Sequence, residues 1–231
     1  MLVLGIESAT TQGSVALLGA DGLVSEYTLN VEITHSERLL PAVDRVLRDA
    51  GTGLDRVEGI AVSIGPGSFT GLRIGLSTAK GLAYATGLPV VGVPTLEAMA
   101  WTLPAAKWQV CPVLDARKQE VYAALFQHEP DGLRRLVDDQ AVAPEALCSL
   151  IRKPTLFLGD GLTVYRDTFQ RLLGSRFLLP PATHRGGRAA CVAELGRHRL
   201  LAGERDDASV LAPTYLRPSE AELHRRPAVS R

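Results

Sequence analysis

The stretch Gly65-Pro66-Gly67-Ser68-Phe69-Thr70-Gly71 carries residue types suited to binding a phosphate. Its glycines permit positive φ and close backbone approach, and the Ser68 and Thr70 hydroxyls are placed to cap a helix whose first amides attract anions. An apolar, β-branched run over 57–64 leads into it as a strand buried on both faces. Two nucleotide motifs fail on spacing. A Walker A loop needs glycine at position 70, then Lys and Ser or Thr, whereas Thr70, Gly71 and Leu72 stand there. The dinucleotide fingerprint needs the same glycine and an acid closing the next strand, which instead ends in Pro94-Thr95. The turn then reads as a tight strand-to-helix connection in which Gly65 or Gly67 takes positive φ.

Past the turn, Gly71, Gly75, Ala79, Ala83 and Gly87 recur every four residues and make a ridge with almost no side chain along one side of a helix. Each glycine weakens an isolated helix by about 1 kcal/mol relative to alanine, so close packing must offset the loss. That packing is against this chain's own sheet or against a second subunit. In the second case Leu76 and Lys80 join the contact, and Arg73 at the head of the ridge reaches an acid across the seam. Other chemistry finds little support. Cys111, Cys148 and Cys191 are odd in number, far apart and without C-x-x-C spacing, which argues against a disulfide framework or a zinc site. No set of nucleophile, base and orienting group emerges.

The elements that position these residues follow from the pattern of the whole chain. With 231 residues, 46% of them hydrophobic, the chain can build a sizeable core. Lys+Arg 25 against Asp+Glu 25 leaves no overall basic field for nucleic acid, so contact with RNA needs help from elsewhere. The N-terminus lacks a signal-peptide pattern and no apolar run approaches the ~20 residues of a membrane span, which together with the free cysteines predicts a cytoplasmic protein. Strands are expected over 2–7, 14–18 and 23–29 as an antiparallel meander. A helix follows from a Thr34 and Glu37 capping box, with Pro41 kinking it. Next come the strand into Gly65, the ridged helix, a strand over 89–93 and a helix from Thr95. The second half repeats the order: strands over 110–114, 120–126 and 133–137, a helix over 144–151, a strand over 155–158, and a helix over 162–173 with Asp160 available to cap it. A strand over 176–179 and a helix over 188–201 complete it. Two tandem βββαβαβα units predict an α/β chain of two ribonuclease H-like lobes, as in the actin, sugar kinase and Hsp70 superfamily. The expected lobes are 1–103 and 104–212, with a tail over 213–231 that is mostly disordered from Arg217 onward.

Ile6-Glu7-Ser8-Ala9-Thr10, His35-Ser36-Glu37-Arg38-Leu39-Leu40-Pro41, Gly65 through Gly75, Leu114-Asp115-Ala116-Arg117-Lys118-Gln119-Glu120-Val121-Tyr122 and Pro213-Thr214-Tyr215-Leu216-Arg217 resemble the motifs of the bacterial TsaB (YeaZ) family of tRNA threonylcarbamoyladenosine biosynthesis proteins. The resemblance covers nearly the whole chain. One departure is Glu7, where TsaB-like chains usually carry Asp and the catalytic paralogue TsaD carries Glu. TsaD-like chains are longer and hold an H-x-x-x-H metal pair; here His35 is followed four residues later by Leu39, so no metal site is expected and His35 reads as a capping or surface residue.

The resemblance implies a subunit without catalytic residues that pairs with TsaD as a heterodimer and works with the ATPase TsaE. In that assembly TsaD transfers a threonylcarbamoyl group to the adenosine beside the anticodon in tRNAs reading codons that begin with A. ATP and magnesium are used by the complex and not bound by this chain alone, and tRNA is met only through the complex. The implied interface is the small-residue helix, through Gly71, Arg73, Gly75, Leu76, Ala79, Lys80 and Ala83, with a homodimer through the same helix as the alternative arrangement. Glu7, Ser8, Thr10 and Thr11 stand where actin-like ATPases hold the first phosphate loop, and Asp115 and Arg117 where they hold the second, with Ser68 a further phosphate-loop or interface position. These turns lack the run of glycines that bares backbone amides to phosphate, so they are expected to be degenerate or interface positions, with Asp115 and Arg117 forming an ion pair. A small actin-like kinase or ATPase acting alone is the competing function.

Overall fold

The computed structural model describes residues 1–30, 35–104 and 106–217. The first unit runs β1 (Val3–Glu7), β2 (Gly13–Gly19), β3 (Gly22–Leu29), α1 (His35–Asp49), β4 (Gly59–Gly65), α2 (Phe69–Thr86), β5 (Val90–Pro94) and α3 (Thr95–Ala100). The second runs β6 (Gln109–Asp115), β7 (Val121–Glu129), β8 (Gly132–Val142), α4 (Pro144–Leu150), β9 (Thr155–Leu158), α5 (Gly161–Leu173), β10 (Phe177–Leu178) and α6 (Ala189–Leu201). The sheet orders are β3-β2-β1-β4-β5 and β10-β9-β6-β7-β8, so the second repeats the first. In each, three antiparallel strands are followed by two parallel ones. The antiparallel strands are joined by tight turns, whereas the parallel ones need the helices as crossovers.

The helices cover both faces of each sheet. α1 and α2 pack on one face of the first sheet, where Leu39, Val43 and Val46 meet Leu4, Ile6, Val15 and Leu17. Its other face is covered by α6, through Val192, Ala193 and Leu200 against Val3, Ala61 and Val91. The final helix of the second unit therefore completes the core of the first, although sequence order assigned it to the second lobe. Its approach is close because Gly196 carries no side chain; a Cβ there would collide with that of Ala61. In exchange, α3 sends Leu96, Met99 and Ala100 into a cluster with Val110, Leu114, Phe126 and Leu158 of the second sheet. The two units share their buried surface, and neither core is complete alone.

Local expectations and structure differ in a few places. The helix α1 runs unbroken through Pro41. Thr34, and the side chains of His35 and Glu37, lie outside the described residues. β8 is longer than the apolar pattern indicates because its ladder with β7 absorbs two irregularities and continues to Val142. Of the expected tail, residues 213–217 are described and dock on the body of the protein; 218–231, where most of the expected disorder falls, lie outside the described residues.

Candidate functional site

β1 delivers Glu7 to the cleft between the lobes. This side chain is 1% exposed, its Oε1 accepts the Ala9 N–H at 2.6 Å, and Oε2 has no hydrogen-bond partner. Burial pushes its pKa up to about 7, against smaller opposing effects of the Ala9 amide and the Ser63 hydroxyl. Ser8 turns away from the cleft. Its hydroxyl donates to Gly71 O at 2.9 Å, and Gly75 of α2 has room for nothing larger than hydrogen against it. Thr10 donates to Gln12 O at 3.2 Å.

The Gly65–Gly67 turn joins β4 to α2 and is spent on packing. Gly65 takes φ +117, which L side chains rarely adopt. Gly67 has no positive φ; it is small because a Cβ there would strike Ala9. Ser68 N–H donates to Ala9 O at 2.6 Å, and Ser68 Oγ accepts Gly71 N–H at 3.2 Å as the N-cap of α2. Two amides that an anion would need are thus committed to the chain itself.

In the second lobe the equivalent turn links β6 to β7. Asp115 Oδ1 accepts the Arg117 N–H at 2.9 Å, and Asp115 Oδ2 lies 3.3 Å from the Arg117 guanidinium. Arg117, Lys118 and Gln119 have φ values of 60, 49 and 62, three left-handed residues in succession with no glycine among them. Asp160, expected to cap α5, makes no capping bond and instead accepts the Asp115 N–H at 3.1 Å. Burial holds the Asp160 pKa above the usual carboxylate range, against the opposing pull of the Asp115 amide.

The loop preceding α6 fills the cleft between these turns. Arg185 O accepts Gly159 N–H at 2.7 Å from the second lobe, and Gly187 O accepts Gln12 Nε2 at 2.8 Å from the first. Gly187 lies against the Glu7 carboxylate. Arg188 pairs with Glu26, whose Oε1 also accepts Ala190 N–H at 3.1 Å, while Ser14 Oγ accepts Ala189 N–H at 3.2 Å. Sequence reasoning missed Gln12, Glu26, Gly187 and Arg188. The one local signal was the unassigned Gly186-Gly187-Arg188 run. Beyond the loop, a cavity of about 270 Å³ open to solvent is lined by Gly159, Leu162, Thr163, Arg166, Leu179 and Arg185. Among the described residues, no group of three or more His, Cys, Asp or Glu side chains could hold a metal ion.

The residues expected at a partner interface divide by burial. Gly71, Gly75, Leu76, Ala79 and Ala83 are buried within this chain, Ala79 at 0% exposure, so the small-residue ridge faces its own sheet and β1–β2 loop. Arg73 is exposed and also contacts its own chain. Its guanidinium lies 3.9 Å from the Phe69 ring centroid, and its Nε donates to Tyr215 OH at 3.0 Å. Lys80 donates to the carbonyls of Ser209 and Leu211. Along α2 the exposed positions Thr70, Arg73, Ser77, Gly81 and Tyr84 share one face at spacings of three and four, with Tyr84 93% exposed, while Ile74 is half-buried against the core.

Two duplicated lobes closing on a cleft at the ends of their parallel strands define a protein of the actin-like, ribonuclease H-like class. The fold is that of component A of (R)-2-hydroxyglutaryl-CoA dehydratase from Acidaminococcus fermentans, with a TM-score of 0.54 at 12% identity over 87% of this chain and 99% of that one. Residues 24–225 match the family model described as TsaD, tRNA N6-adenosine threonylcarbamoyltransferase. The tRNA threonylcarbamoyladenosine biosynthesis protein TsaB of Bacillus subtilis (strain 168) is 32% identical over 225 residues, 96% of either chain. YeaZ from Pseudomonas aeruginosa superposes with a TM-score of 0.75 at 27% identity, covering 93% of this chain and 99% of that one. The chain belongs to the TsaB family, whose named role is in the biosynthesis of threonylcarbamoyladenosine in tRNA. Among the described residues, no helix is long and apolar enough to cross a membrane.

Proposed function

We propose that this chain is the non-catalytic subunit of the threonylcarbamoyladenosine machinery, pairing with TsaD and working with TsaE in the cytoplasm. The observation that supports it most is the occupied cleft: at Glu7 the chain's own Gly187 stands against the carboxylate, and the Ser68 and Gly71 amides at the start of α2 are bonded internally. ATP and magnesium belong to the assembled complex in this reading, and tRNA reaches this subunit only through it.

The surface proposed for the partner is the outward face of α2, Arg73, Ser77, Gly81 and Tyr84, and not the buried ridge. The TsaD family model covers most of this chain, so TsaD presents an equivalent helix, and two related folds can pair helix to helix about a pseudo-two-fold axis. Gly81 has open space where a Cβ would sit, which lets an opposing backbone come close. A homodimer uses the same face when TsaD is absent.

Reconstitution tests the reading. TsaD, TsaE, ATP, magnesium, the threonylcarbamoyl adenylate and tRNA are expected to give modified tRNA only when this chain is added, and this chain alone to give none. Micromolar ATP binding with turnover by the isolated chain, followed by calorimetry, would instead assign it to a kinase or ATPase acting alone.

A further inference from the structure

Beyond Leu200 no side chain up to Arg217 is buried, yet this stretch ties both lobes together. Asp206 covers the edge of β5: its N–H donates to Val90 O at 2.9 Å, and its Oδ2 accepts Gly92 N–H at 2.7 Å. Thr214 N–H donates to Ile64 O at 2.7 Å, and its own carbonyl lies against Gly65. Tyr215 stacks on Phe69 with ring centroids 4.8 Å apart. Arg217 then reaches the second lobe, donating to Ala116 O at 3.3 Å and pairing with Glu120 at 2.9 Å.

The turn that Arg217 grips is the one whose residues 117–119 are all left-handed. L-residues rarely adopt that region in succession, and such a run persists only where its surroundings over-determine it. Inside the turn, Ala116 N–H donates to Glu120 O and Glu120 N–H to Arg117 O, both at 3.0 Å. The ends held by the strap, Gly65 of β4 and the turn after Asp115 of β6, are the carboxyl ends of parallel strands, where open α/β sheets receive ligands. A segment anchored by polar bonds, one half-buried stack and the partly buried Ala208 and Leu211, with no side chain fully buried, opens at lower cost than the lobes it crosses.

We propose that residues 206–217 are a releasable clasp over the mouth of the cleft, with Arg217 holding the Asp115–Glu120 turn in its left-handed form. Closed, the clasp covers Phe69, the β5 edge and the cleft mouth. Open, it uncovers all three and lets the turn relax. The exposed Arg117 and Lys118 are trypsin sites, so the state of the turn can be read by cleavage.

Amide exchange and trypsin digestion on the full chain test the clasp, using wild type, Tyr215→Ala, Arg217→Ala and Arg217→Lys. Both alanine variants are expected to exchange the Ala116 and Glu120 amides about tenfold faster and to be cut faster after Arg117 or Lys118, with α5 and β8 unchanged. Arg217→Lys keeps the charge without the fork and is expected to fall between. Raising salt to ~1 M screens the half-exposed Arg217–Glu120 pair and moves wild type toward Arg217→Ala. Unchanged exchange over 115–120 in both alanine variants would overturn the proposal. So would uniform loosening of the whole chain, which would make the strap part of the global fold and no clasp at all.

Discussion

The two sides of α2 are built from similar small residues and do opposite things. On the inner side, Gly71, Gly75, Ala79 and Ala83 are buried against β1, its following loop and the core, and Gly75 sits where any Cβ would strike Ser8. On the outer side, Ser77 is exposed, Gly81 meets open space, and Tyr84 is almost wholly in solvent. Four-residue spacing of small side chains shows that something comes close to a helix, and on this chain that something is its own sheet. The side suited to another molecule is the one without a ridge.

The largest expected effect lies under the inner side, at Glu7. Its pKa is raised by burial from the usual 4.5 to about 7, so between those values the folded state holds a proton that the unfolded state has released. The stability is therefore full below about pH 4.5, falls as pH rises toward about 7, and is flat above, a loss of about 3 kcal/mol from this one group. Chemical denaturation of wild type and Glu7→Gln at pH 4.5 and 8 checks it. The difference between the two proteins is expected to change by that amount, and a pH-independent difference would mean the carboxylate finds solvent or a cation in the folded chain.

A smaller effect is expected at the ridge itself. Ala79→Leu adds three carbons at a fully buried position among Ile6, Val62 and Leu76, an overpacking cost of about 1–3 kcal/mol. A thermal melt is expected to fall by several degrees. An unshifted melt would move the ridge out of the core.

Much of the architecture was legible because the strands of the two lobes are apolar runs punctuated by glycine, and the helices carry clear periodic faces. The ridge was legible as a ridge, but spacing cannot say which neighbour it meets; that depended on Ser8, more than sixty residues away. The clasp was not legible, since Tyr215 and Arg217 find their partners over a hundred residues upstream and nothing local distinguishes them from a free tail. The left-handed run at 117–119 had no signal at all, because the residues that adopt it are Arg, Lys and Gln and not glycine. The filling of the cleft by Gly186 and Gly187 was hidden for the same reason as the clasp: a glycine pair marks close approach without naming what approaches.

The smallest change in stability carries the largest change in association, and it tests the central claim. Tyr84→Asp and Gly81→Leu alter only outward positions; the first is expected to shift stability by no more than about 0.5 kcal/mol, and the second to raise it by up to about 1 kcal/mol because leucine is the better helix former. Co-purification with TsaD, run beside Ala79→Leu, separates the two sides of the helix. The account predicts that Ala79→Leu melts early yet still carries TsaD, while Tyr84→Asp and Gly81→Leu melt no earlier than wild type and lose it. Retention of TsaD by both outer variants, with loss only in Ala79→Leu, would contradict it.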